Sequence, residues 1–166
     1  MKNALIVLLL SIASVIIVNI HCQRNMLSPI SELPEEFLQS QPDTLIIGEQ
    51  KLVLRTYLWR DFMPIIPPGG KPLYGVIMVE TVDSSAIEFD IDSDIVYLIH
   101  NHSVWPVHYD EVPEDHPDQR PFRLLKIFRS GPKLEPRILV DVVVRLLIDE
   151  HRFYLRATDQ FINVTF

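Results

Sequence analysis

Leu139-Val140-Asp141-Val142-Val143-Val144-Arg145-Leu146-Leu147-Ile148-Asp149, then Glu150-His151-Arg152, then Phe153-Tyr154-Leu155-Arg156-Ala157-Thr158 reads as two strands and a turn. β-branched and aromatic residues dominate both runs, and apolar side chains recur at every second position, the pattern of a half-buried strand. Placing the turn at Asp149 to Arg152 sets Ile148 opposite Phe153, Leu146 opposite Leu155 and Val144 opposite Ala157, so both strands share one apolar face. The same register sets Arg145 opposite Arg156 on the other face. Like charges there call for an acid such as Asp141 or Asp149 beside them, or else form a small anion-binding patch.

The rest of the chain repeats this texture. Leu45–Ile47, Lys51–Phe62, Leu73–Val82, Ile95–Ile99 with an extension through Val104–Tyr109, Phe122–Phe128 and Phe161–Phe166 are further short runs bounded by Pro, Asp, Gly and Ser. No amphipathic helix lies between them to make parallel crossovers. The expected fold is therefore all-β, a single immunoglobulin-like antiparallel β-sandwich of seven or eight strands over residues 44–166. Residues 23–43 carry Pro29, Pro34 and Pro42 among Ser, Glu and Gln, a composition that suits a flexible tether. One short helical turn is expected around Pro34-Glu35-Glu36-Phe37-Leu38, with proline at a first-turn position.

Composition agrees with one packed domain: 166 residues, 48% hydrophobic against 22% charged, exclude disordered and disulfide-dense classes. A net charge of −7 excludes a nucleic-acid partner, which needs clustered cations to displace counterions. Thirteen prolines against five glycines indicate stiff connections rather than glycine-rich phosphate loops.

Lys2 followed by the apolar run Ala4 to Ile20 matches the charged and hydrophobic regions of an export signal. No polar face at helical spacing lies along residues 4–18, so the run is not an ordinary core helix. The chain's one cysteine, Cys22, stands two residues after the run. In this arrangement residues 1–22 resemble bacterial lipoproteins, whose signal is cut just before a cysteine that becomes the lipid-bearing N-terminus. The resemblance implies lipidation of Cys22. An uncleaved single-span anchor, and secretion by cleavage after Ala13 in Ser11-Ile12-Ala13, are the alternatives. All three export the domain, and the expected location is the cell envelope, membrane-anchored and facing the periplasm or exterior. A single cysteine also leaves no internal disulfide, so stability rests on the core.

Trp59-Arg60-Asp61-Phe62-Met63-Pro64, leading through Pro67-Pro68-Gly69-Gly70-Lys71-Pro72 to Leu73, is the most distinctive stretch of the folded part. Its prolines end one strand and its glycines supply the positive φ of a reversal. Together with Ser130-Gly131-Pro132-Lys133, it resembles segments of small exported bacterial proteins with immunoglobulin-like sandwiches, which implies fold and export and no catalytic residue. Gly70-Lys71 is not a phosphate loop: Ile65 stands where the first glycine belongs, and Pro72 stands where Ser or Thr belongs. No G-x-S-x-G elbow occurs.

Four sets of side chains are candidates for chemistry. His100 and His102 at i, i+2 on a strand point the same way, and with His108, His116, Asp110, Glu111, Glu114 and Asp115 they are the densest metal-ligand collection. The competing reading is a solvated loop between Pro106 and Pro121. Asp90, Asp92 and Asp94, with Asp83 and Glu88 before them, offer carboxylates from a connection, as calcium prefers. The EF-hand pattern fails at Ile95 and Asn101, so weak calcium binding at most is expected. Tyr57, Trp59, Trp105 and Tyr109 are candidates for a ligand platform of the kind on which sugars stack, although Tyr57 and Trp59 share a strand face with Val53 and Arg55 that equally covers core. Asn101-His102-Ser103 and Asn163-Val164-Thr165 match the glycosylation acceptor pattern.

No convergent nucleophile, base and oxyanion donors can be named, so the expected function is non-enzymatic. The chain reads as a membrane-anchored binding or scaffold protein whose partner is a protein or a carbohydrate, with no cofactor. A carbohydrate-binding accessory module is the alternative. A metal-dependent protein using His100, His102 and His108 is a more distant one.

Overall fold

The computed structural model describes residues 31–63, 69–113 and 116–166. The signal, Cys22 and the first part of the tether lie outside the described residues. So do Pro64, Pro67, Pro68, Glu114 and Asp115. Among the described residues no helix is long and apolar enough to cross a membrane.

Among the described residues one short helix, α1 (Glu35–Gln39), precedes eight strands: β1 (Thr44–Ile47), β2 (Gln50–Asp61), β3 (Leu73–Thr81), β4 (Ile91–His100), β5 (Ser103–His108), β6 (Arg123–Gly131), β7 (Leu139–Ile148) and β8 (His151–Thr165). The all-β expectation holds. The strands form one curled sheet in the order β5-β4-β7-β8-β2-β3-β6, with β1 paired to β2. Strand β8 joins its two halves. It runs antiparallel to β7 from His151 onward, then parallel to β2 where Leu58 meets Ile162 and Asp61 meets Thr165. The expectation of purely antiparallel pairing is thus corrected at this junction. A chain that turns back on β7 and then crosses to the far half reaches β2 in the same direction.

Curling brings the two end strands together. Just past β5, the amide of Asp110 donates to the carbonyl of Ile127 on β6 at 2.8 Å. Alternation fills the interior: Leu52, Leu54 and Leu58 from β2, Ile77 and Val79 from β3, and Val140, Val142, Val144, Leu146 and Ile148 from β7 form one buried cluster with Val96, Leu98, Phe128, Leu155 and Ile162. Strand β3 admits Phe128 because Gly75 lies opposite it in register; a Cβ there would overlap the ring.

The turn between β7 and β8 is shorter than the sequence suggests. Ile148 pairs with His151, leaving only Asp149 and Glu150 as loop, both at positive φ (45° and 67°). The expected partners of Ile148, Leu146 and Val144 all slide by two residues, which preserves the face and changes the neighbours. Arg145 consequently faces Tyr154 and Arg156 faces Val143, so the two arginines do not meet. Each takes a carboxylate: Asp94 for Arg145 and Asp141 for Arg156. The runs expected as separate strands at Phe153–Thr158 and Phe161–Phe166 are continuous. Asp159, at φ 55°, forms a bulge whose amide donates to Asp141 Oδ1 at 3.0 Å.

Part of the segment read as a tether is folded onto the sheet. α1 forms at the expected position after Pro34, and Leu38 is fully buried against Ile95, Tyr97, Ile99, Val104 and Val143 on the outward side of β4, β5 and β7. Strands β4 and β7 are therefore buried on both faces there.

Candidate functional site

The outward face of the other half carries the exposed rings of Tyr57 and Phe161 beside the half-buried rings of Trp59 and Tyr74. On β2, even-numbered Leu52, Leu54 and Leu58 enter the core and odd-numbered Arg55, Tyr57 and Trp59 point away. Cross-strand register places Tyr74 opposite Trp59, Val76 opposite Tyr57 and Ile127 opposite Val76. On the other side, Ile162 lies beside Leu58, so Phe161 falls next to Tyr57, and Leu139 pairs with Phe161. The result is an apolar strip across five strands. Tyr57 is 52% exposed, and Leu139 and Phe161 are each 49% exposed. Ring centroids of Tyr57 and Trp59 are 5.4 Å apart, and Trp59 meets Tyr74 edge to face at 5.5 Å.

The four rings expected as a platform are thus divided. Tyr57 and Trp59 lie together, whereas Trp105 and Tyr109 pack against the interior cluster from the other half. Tyr74, which completes the cluster, was legible only through the β2–β3 register. The acceptor pattern at Asn163 falls inside β8, where the side-chain amide donates to the carbonyl of Leu58 at 3.0 Å. Asn101 lies in an exposed turn.

The histidines do not converge. Strand β4 ends at His100, and Asn101 and His102 form a two-residue turn at positive φ (47° and 59°), so His100 and His102 do not share a strand face. His100 Nδ1 lies 3.0 Å from the carbonyl of Leu139, His102 Nδ1 3.3 Å from Glu35, and His108, at the far end of β5, 3.4 Å from the carbonyl of Asp94. Among the described residues no three His, Cys, Asp or Glu side chains are placed to hold a metal.

The acidic segment is likewise dispersed. Asp92 and Asp94 belong to β4 rather than to a connection, and a bulge between Ser93 and Ile95 turns Asp94 outward. Arg145 grips Asp94 through Nε at 2.8 Å and the terminal nitrogen at 2.6 Å, and these bonds hold the carboxyl below its ordinary range and the guanidinium above its own. Asp92 meets Lys126 at 2.5 Å, while Asp90 precedes the strand and its carbonyl accepts from the Asp149 amide. Carboxylates already held by cations on neighbouring strands make no oxygen cage.

Where β5 and β6 part, a cleft of about 600 Å³ opens between Ser93, Asp94, His108, Tyr109, Leu124 and Lys126. Ser93 Oγ lies 2.8 Å from the Arg145 carbonyl and 3.1 Å from the Tyr109 hydroxyl. With its one proton given to the carbonyl, Ser93 accepts from the phenol. Burial pushes the Tyr109 hydroxyl well above the usual tyrosine range, so it stays protonated. Asp110 on the cleft wall pairs with Arg129 at 3.4 Å. Ser93, Tyr109, Asp94 and Asp110 are thus each held by a partner, which stabilises the walls of the cleft.

The distinctive Trp59–Leu73 stretch turns out to be a clasp. Arg60 is 2% exposed, and its guanidinium donates to the carbonyls of Lys71 (2.9 Å), Leu134 (2.7 Å) and Gly69 while covering the Phe62 ring. Lys71 pairs with Asp61 at 3.1 Å. Both glycines of the reversal have positive φ, 88° at Gly69 and 70° at Gly70, and at Gly70 a Cβ would also crowd Phe62 and Arg60. At the opposite end of β3, the carboxylate of Glu80, 8% exposed, sits between Arg55 (3.0 Å) and Arg123 (2.6 Å).

Comparison of the chain with family models, with curated proteins and with solved structures finds no match in any of the three.

Proposed function

We propose that the chain is an exported, membrane-anchored binding protein of the cell envelope, without catalysis of its own, built as an immunoglobulin-like sandwich that meets its partner through the outward face of β2, β3 and β8. The observation that carries this reading is the contrast between two outward faces. On β4, β5 and the middle of β7 the chain covers its own apolar side chains with α1; on β2 and β8 it leaves Tyr57 and Phe161 about half exposed around Trp59 and Tyr74, with Leu139 at the start of β7 extending the strip. Exposed contiguous apolar surface of this kind marks interaction sites, and Tyr and Trp dominate the energetics of such contacts. The pairing of Asp92, Asp94 and Asp110 with cations supports binding over catalysis.

A photo-crosslinking residue placed at Tyr57 in the full chain tests this in intact envelopes, with one at Val82, 59% exposed, as the control. Adducts at position 57 and none at 82 are expected. No adduct at 57, or equal labelling at both, overturns the reading. Anchoring through Cys22 has its own check, since lipid chains contribute about 0.8 kcal/mol per buried CH₂. Cys22→Ser releases the protein from membranes or leaves the uncleaved precursor, whereas a mature mass that retains residues 1–21 replaces lipidation with the single-span anchor.

The Tyr57, Trp59 and Tyr74 cluster specifically favours carbohydrate as the second reading. Retardation in polysaccharide-containing native gels that Trp59→Ala abolishes would establish it.

A further inference from the structure

We propose that residues 33–43, with α1 at their centre, are a releasable strap: a segment that lifts from the sheet while the sandwich stays folded, uncovering a second apolar face on β4, β5 and β7. The proposal goes beyond the binding reading and does not depend on it.

A helix of five residues has no stability of its own in water, so α1 exists only through what it touches. Those contacts are few. Leu38, fully buried, is its single deep anchor, seated among Ile95, Tyr97, Ile99, Val104 and Val143, with Leu33 beside it. Phe37, 40% exposed, meets Tyr154 edge to face at 5.2 Å. Glu35 reaches His102 at 3.3 Å, a contact open to water on the histidine side.

The remaining attachment is Arg156. Its backbone amide donates to the carbonyl of Pro42 at 2.9 Å, and its guanidinium spans from the carbonyl of Gln39 to Asp141. Arg156 Nε is nevertheless buried without a hydrogen-bond partner, unlike every other buried side-chain nitrogen or oxygen among the described residues. An unsatisfied buried donor costs free energy that exposure to water would recover. The clamp therefore favours closure less than its bonds suggest. The seat, by contrast, belongs to strands held on both sides by the ladder, since β4 pairs with both β5 and β7 and β7 with both β4 and β8. Opening the strap breaks none of those bonds, which gives it a lower free energy than global unfolding.

Native-state hydrogen exchange on the full chain tests the proposal. The reporters are the amides of Leu38, Ser40 and Gln41, which donate within the strap, and of Arg156, which donates to it. These four are expected to exchange together, at least about tenfold faster than the amides of Val96 and Val144 and with little dependence on denaturant. Leu38→Ala is expected to speed the four by about thirtyfold or more, with Val96 and Val144, whose opening includes that of the strap, speeded by no more than the same factor and still exchanging more slowly than the four. The strap is instead an integral part of the core if wild-type exchange of the four matches that of Val96 and Val144. Fast exchange at Leu38, Ser40 and Gln41 with Arg156 still protected reduces the effect to end fraying and likewise overturns the proposal.

Discussion

Arg60 occupies a position that alternation along β2 assigns to the interior, and what meets it there is backbone: the carbonyls of Gly69, Lys71 and Leu134. Carbonyls carry no residue-type signature, so the stretch stood out in the sequence through its prolines and glycines while the role of its arginine did not. Gly75 was silent for a related reason, because its need for a bare Cα comes from Phe128 on a strand far along the chain. Gly75→Ala is expected to destabilise the fold by about 1–3 kcal/mol, the cost of overpacking, read from the urea midpoint. Asp94 gives a pH-dependent counterpart. Hydrogen bonding from Arg145 lowers its folded-state pKa. A depressed folded value stabilises above the unfolded value, near about 3.9, and that contribution is lost as pH falls through the folded value. Asp94→Asn should therefore lower the melting temperature at pH 6, with the gap to the unsubstituted protein narrowing at about pH 3. A gap that stays constant or widens in acid would contradict the role given to this pair.

Elements were legible wherever local pattern determines them and illegible wherever tertiary contact does. The runs that became β2, β3 and β7 were readable to within a residue or two, and burial along β2 and most of β3 alternates. Ile95–Ile99 and Val142–Val144 do not alternate, and the reason lies in α1, which buries their outward side as well. Asp149-Glu150 was misplaced because a two-residue turn with both φ angles positive normally announces itself with glycine or asparagine, and neither residue is one. Glu150→Gly should relieve left-handed strain at its φ of 67° and raise stability by about 1 kcal/mol, seen as a higher melting temperature. Unchanged or lower stability would show that the Glu150 side chain contributes more than its backbone costs. The histidine pair failed at a turn of the same geometry, Asn101-His102: asparagine suits the first positive-φ position, but histidine at the second does not mark the turn, and His102 belongs to it rather than to the strand.

At the scale of the molecule, alternation and turn residues identify an all-β chain, but they do not say how the strands close. The parallel junction of β2 with β8 and the bridge from Asp110 to Ile127 join segments remote in sequence, with no local signal at either end. Part of the candidate surface was visible beforehand, as Tyr57 and Trp59 on one face of one strand. Its extent was not, because Tyr74, Phe161 and Leu139 arrive from three other strands. The junction of β2 with β8 is thus what assembles the strip, and the proposed function puts a partner there. Oxidative footprinting of the full chain, in native envelopes and after purification in detergent, tests it most directly. Tyr57, Trp59 and Tyr74 should be several-fold less reactive in the envelope than in the purified protein, with Phe153, packed against the interior, equally reactive in both. Equal reactivity of the three rings in the two preparations would contradict a partner on this face.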